Sequence, residues 1–100
     1  MVQGSTPTHV FDLPIDTSKI VKLRITYVQN CTVILEKTES EVTMRDSTIK
    51  VTLTQQETLR FAANYPVDVQ IKLLTKNGVV MISQVMTDQV EPVLNKEILS

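Results

Sequence analysis

The stretch Val21-Lys22-Leu23-Arg24-Ile25-Thr26-Tyr27 decides the fold. Apolar residues stand at every second position, and Lys22, Arg24 and Thr26 fill the gaps. Successive side chains of an extended strand point to opposite faces, so this stretch presents one oily face and one wet face. A helix would send residues two apart to opposite sides of its surface. The same period recurs in Ile49, Val51 and Leu53, set against Lys50, Thr52 and Thr54. It recurs again in Val67, Val69, Ile71 and Leu73, set against Asp68, Gln70 and Lys72. Three such runs specify half-buried strands.

Shorter patterns fill the intervals. His9, Phe11 and Leu13 share one face of an opening strand that Pro14 ends. Thr32 to Lys37 reads as a strand with Val33 and Leu35 on one side and Ile34 on the other, and Glu41 to Met44 as a brief one. Asn77-Gly78 tolerates positive φ at both residues, as a type I′ hairpin turn requires, and joins a strand ending near Lys76 to one starting at Val79. Gln29-Asn30 and Asp46-Ser47 are softer turn signals. Thr54-Gln55-Gln56-Glu57 has the spacing of a capping box, and Pro66 limits whatever helix follows. Seven or eight short strands with turns every ~8–12 residues describe a β-sandwich or barrel.

Bulk composition narrows the function. A chain of 100 residues, 42% hydrophobic and 21% charged, makes one globular domain with a thin core. The net charge is −1 with both signs interspersed. The densest basic group, Lys19, Lys22 and Arg24, reads as a solvated strand edge, so no nucleic-acid partner is expected. No apolar run approaches the ~20 residues that span a bilayer, and no membrane partner is expected. Cys31 is the only cysteine, which precludes an intrachain disulfide and suits a reducing compartment.

Catalytic constellations are missing from the pattern. His9 is the only histidine, and nothing in the sequence places it beside Cys31. One histidine and one cysteine do not make a structural zinc site. Glu36, Glu39 and Glu41 cluster without a loop glycine of the kind a calcium turn uses. Neither a G-x-G-x-x-G nor a Walker loop is present. The expectation is a chain that is not an enzyme, with no cofactor and no metal.

Surplus hydrophobicity points elsewhere. Val79-Val80-Met81-Ile82 is apolar on both faces, and Val85 and Met86 continue it. Such a strand is either central and covered on both sides or has one face awaiting a partner. Val90, Val93, Leu94, Ile98 and Leu99 are too apolar for a discarded tail, and Pro92 among them suits an edge strand or an extended arm. The interface is therefore expected to draw on Val79, Met81, Val85, Val90, Val93, Leu94, Ile98 and Leu99.

Three stretches carry a resemblance. They are Gly4-Ser5-Thr6-Pro7-Thr8-His9-Val10-Phe11-Asp12-Leu13-Pro14, Leu23 to Asn30, and Val51 to Phe61. The first resembles the G-T-T-P-T-x-x-F-x-L-P opening of small uncharacterised phage and prophage proteins of bacteria, with Ser5 where threonine is usual. These proteins are distantly similar to the Ig-like N-terminal domain of phage baseplate upper proteins. The resemblance implies a structural or assembly component of a phage particle, made in the host bacterial cytoplasm and then carried in the virion. Its partners would be other phage structural proteins or further copies of itself as a homo-oligomer. A soluble Ig-like binding module for a host protein or glycan is the alternative. The fold expected is all-β: an Ig-like β-sandwich of seven or eight short, mainly antiparallel strands, with one short helical turn near residues 55–62. Residues 1–100 form a single domain, with 90–100 as an edge strand or exchanged arm.

Overall fold

A computed structural model describes residues 1–100. The strands are β1 (Thr8–Asp12), β2 (Ile20–Gln29), β3 (Thr32–Thr38), β4 (Thr43–Arg45), β5 (Thr48–Thr52), β6 (Pro66–Thr75), β7 (Val80–Ile82) and β8 (Met86–Gln89). One helical turn, α1 (Gln55–Thr58), precedes β6. The strands form two antiparallel sheets. One has the order β1-β5-β4; the other runs β3-β2-β6, with β7 and β8 both paired to the far side of β6. These are the B-E-D and C′-C-F-G orders of an Ig-like sandwich, with the last strand broken in two. Ser83 makes the break: its N–H donates to Ile71 O and its Oγ accepts from Ile71 N–H.

The periodic runs supply the interior. Leu23, Ile25 and Tyr27 of β2, Val67, Val69, Ile71 and Leu73 of β6, and Ile49 and Val51 of β5 with Leu53 just beyond it are all buried. Tyr27 lies at the centre, its ring centroid 5.7 Å from that of His9 and 5.9 Å from that of Phe61. Antibody domains place a tryptophan against an inter-sheet disulfide at the corresponding strand. Here an aromatic trio drawn from β1, β2 and the loop after α1 fills that space without a covalent bridge.

Several local expectations give way to the register. Val21 is exposed, because a bulge between Ile20 and Lys22 rotates it off the buried face, which begins at Leu23. A second irregularity opposite Tyr27 and Val28 makes Ile34 the extra residue of β3, so Val33 turns outward while Leu35 stays in. The brief strand starts at Thr43 rather than Glu41, since Glu39–Glu41 winds into a 3₁₀ turn. The Asn77-Gly78 turn is not type I′: of the two, only Gly78 has positive φ, at +79°. Gly78 N–H donates to Thr75 O and Thr75 N–H to Val79 O, the three-residue hairpin with a left-handed closing residue. The two-residue turn with both positions left-handed is Asn30-Cys31, with φ of 49° and 61°. Cys31 is thus an exposed turn residue.

The capping box at Thr54 forms as its spacing predicts. Glu57 N–H donates to Thr54 Oγ1 at 3.1 Å, and Thr54 N–H donates to Glu57 Oε1 at 2.9 Å. The helix ends after four residues, short of residue 62, and Phe61 leaves it to enter the core. Buried amides fix that crossover. Gln29 Nε2 donates to Ala62 O at 2.9 Å and Gln29 Oε1 accepts from Ala62 N–H at 2.7 Å, while Gln3 Nε2 donates to Phe61 O at 2.7 Å.

Candidate functional site

A sandwich that is not a closed barrel has strand edges, and each exposes unpaired backbone groups. Three of the four sheet edges in this molecule carry some protection. β3 carries Glu36 and Lys37 and a bulge whose Ile34 carbonyl accepts from the Arg60 guanidinium. β4 is three residues long and includes Arg45. β1 places Val10 between Thr8 and Asp12. The fourth edge, β7, is also three residues long but carries neither a charge nor a bulge. No charged residue occurs between Lys76 and Asp88.

Pairing fixes what β7 presents. Lys72, Leu73 and Leu74 lie opposite Ile82, Met81 and Val80. Backbone bonds at Thr75–Val79 and Ile71–Ser83 show that the odd-numbered residues of β7 bond to β6. Alternation then turns the N–H and C=O groups of Val80 and Ile82 to the free edge. Their side chains lie on the outer face beside Leu74 and Lys72, 53% and 58% exposed. The strand is therefore an edge, not a covered central strand.

The residues singled out in the sequence divide. Val79 and Val85 are exposed, Val85 on the outer face with Thr26, Val28 and Gln70. Met81 faces inward beside Leu73 and packs against the core, so the outward pair is Val80 and Ile82. Val90 is a core residue at 2% exposure and is unavailable to a partner. No strand forms beyond Gln89. The terminal segment folds back on its own molecule instead. Glu91 bonds in parallel to Met1 and Gln3, Val93 packs near Gly4, and the Gln55 amide holds both the N–H and the C=O of Leu99. Leu94 is wholly exposed, and the Ile98 and Leu99 side chains are partly so.

A cleft of about 350 Å³ opens in the seam between β1 and β8. Val10, Phe11, Val67, Val69 and Met86 line it together with His9 and Asp88. His9 Nδ1 lies 2.7 Å from the Tyr27 hydroxyl oxygen, and which of the two donates follows the imidazole tautomer. Burial pushes the His9 pKa below 6.5; the Asp88 carboxylate pulls it up and the Met1 ammonium pushes it further down. The Tyr27 phenol, buried and near the Glu57 carboxylate, keeps its proton far above the ordinary range. It therefore supplies His9 with a neutral hydrogen-bond partner and not with a base. Cys31 lies in the β2–β3 turn, and no hydrogen bond connects it to His9. No group of three or more His, Cys, Asp or Glu side chains is placed to hold a metal ion. This surface offers apolar side chains for burial and free backbone edges for pairing.

A protein-family model, a curated protein or a solved structure that matches the chain is not found in any of the three comparisons.

Proposed function

We propose that the chain is a non-enzymatic assembly module of a phage or prophage particle, associated with tail or baseplate, which acts through protein–protein contacts. The uncharged free edge of β7, with Val80 and Ile82 turned outward, is the observation that carries the contact reading. Main-chain pairing at such an edge supplies affinity, and the alternate side chains supply selectivity. Natural sheets guard exposed edges with charge, proline or bulges, so an unguarded one is consistent with an edge that is covered in use. The phage setting rests on the resemblance of Gly4–Pro14 and the two later stretches, and the pathway from host cytoplasm to virion belongs to the same reading.

The test uses Val80→Lys/Ile82→Lys. Both side chains are more than half exposed, so the substitutions cost at most about 1 kcal/mol through strand propensity. Particles induced from the host bacterium should contain the wild-type chain and lack the folded variant. Equal incorporation of the two would remove β7 as the contact, and absence of the wild-type chain from particles would remove the structural role.

A further inference from the structure

The tip of the β6–β7 hairpin carries the only Asn-Gly pair in the chain. Asn77 and Gly78 are both exposed. The one side-chain hydrogen bond in this loop runs from Val79 N–H to Thr75 Oγ1 at 3.1 Å, so the Asn77 carboxamide is unengaged. A β-carbon built on Gly78 would meet nothing within 4 Å, so the space beside its backbone is open. Asparagine's side-chain carbonyl carbon can close a five-membered ring onto the nitrogen of the next residue. A side chain on that residue hinders the closure, and glycine has none. Asn30, Asn64 and Asn95 precede Cys31, Tyr65 and Lys96, so only Asn77 is free of that hindrance. The restraint on the reacting nitrogen is one bond, from Gly78 N–H to Thr75 O at 3.0 Å. Exposed bonds at a hairpin tip open locally at low free energy, and glycine adapts readily to the new backbone angles.

We propose that Asn77 is a site of covalent self-modification, where the chain converts this asparagine to aspartate and isoaspartate. When the bond to Thr75 O opens, Gly78 N gives its proton to a solvent base and bonds to Asn77 Cγ. The Cγ–Nδ2 bond breaks, and the nitrogen leaves as ammonia after taking up a proton. The resulting succinimide adds one water. Cleavage between Gly78 N and Cγ gives aspartate. Cleavage between Gly78 N and the Asn77 main-chain carbonyl carbon gives isoaspartate, with the chain now running through Cβ and Cγ. Nothing is oxidised or reduced, and water is the only co-reactant. Both products add one negative charge, and isoaspartate also adds one carbon to the backbone of a three-residue loop. The Thr75–Val79 bonds that close this loop also fix the start of β7. The longer loop fits those bonds poorly, so the modified chain holds β7 less firmly. A weaker β7 contact would follow, and that last consequence alone rests on the proposed function.

The experiment incubates the folded full-length chain at mildly alkaline pH and follows it by intact mass and peptide mapping, with Asn77→Gln as the variant. The mass gain of an NH₂-to-OH exchange is expected at residue 77, as both isomers, at least ~tenfold faster than at Asn30, Asn64 or Asn95. Asn77→Gln should hold its mass, because its ring would need six members. Amide exchange on the separated isoaspartate chain should be faster at Thr75 and Val79 than in the starting chain. An unchanged mass in the folded chain, while the urea-unfolded chain converts, overturns the inference. Conversion spread evenly over the four asparagines does so too, as does a mass gain in Asn77→Gln at the wild-type rate. Unchanged exchange at Thr75 and Val79 overturns the loosening of β7. The mass measurement needs no particle, so failure of the incorporation test would remove the assembly reading alone.

Discussion

Lys37 lies on the inner face of β3, where its residue type is least expected. It aligns with Ile25 across the ladder, and its side chain is 8% exposed. Its ammonium lies 2.5 Å from a Glu57 oxygen and 3.7 Å from a Glu41 oxygen. Removing one member of such a pair leaves the other charge poorly solvated. Lys37→Met is therefore expected to cost about 1–3 kcal/mol in urea unfolding, and Glu57→Gln a similar amount. The double variant should cost less than the sum, because neither charge is then stranded. Burial opposes the charge on Glu57, but hydrogen bonds from Lys37 and the Thr54 N–H outweigh it and hold the carboxyl below 4.5. As pH falls, the unfolded chain takes up that proton first. The stabilisation is thus complete above about pH 4.5 and is lost as pH drops through the folded value. His9 adds a second limb. Its folded pKa lies below 6.5, so its share is present above that pH and lost on acidification through the lowered value. Stability followed by urea from pH 7.5 to 3.5 should show both limbs, His9→Gln flattening the upper and Glu57→Gln the lower.

At the level of elements, what the sequence discloses depends on how far each cause lies from its effect. β2, β5 and β6 are legible because alternation is local: each buried residue reports its own face. The capping box is legible for the same reason, with both partners within four residues. Val21 and Val33 are misread because a bulge shifts the phase, and a bulge arises from pairing with another strand. The inward turn of Met81 likewise depends on its register with Leu73. Burial of Lys37 is invisible from its neighbours, since Glu57 stands on another element. The Asn30-Cys31 turn shows the cost of such a conflict. A two-residue hairpin loop forces both residues left-handed, and only glycine adopts that conformation freely. Cys31 at φ 61° carries a penalty of about 1 kcal/mol. Cys31→Gly should raise stability by about 0.5–1 kcal/mol, offset in part by the greater freedom of glycine in the unfolded chain. Thermal unfolding checks it; a loss of stability would mean that the turn is not left-handed at both positions.

The whole molecule is a thin object, 47 × 30 × 16 Å, with one layer of side chains between two sheets. Thirteen buried apolar residues constitute that layer. No disulfide reinforces it, since the single thiol is exposed. A domain of this length has a net stability of ~5–15 kcal/mol. Each core side chain therefore represents a large share of the margin, while the exposed strand edges contribute little to folding. Two isoleucines separate these roles cleanly. Ile25 is fully buried in the centre of β2, and Ile82 is 58% exposed on β7. Truncation to alanine deletes the same atoms from both. Ile25→Ala should cost about 2–5 kcal/mol, the transfer term plus the cavity left behind, and lower the melting temperature by ~10–30 °C. Ile82→Ala should cost no more than about 1 kcal/mol from lost strand propensity and partial burial, a shift of at most ~8 °C. A differential scan of the two variants at one protein concentration separates them. Comparable shifts would mean that Ile82 is covered in the isolated chain, and β7 would then hold no surface in reserve for a partner.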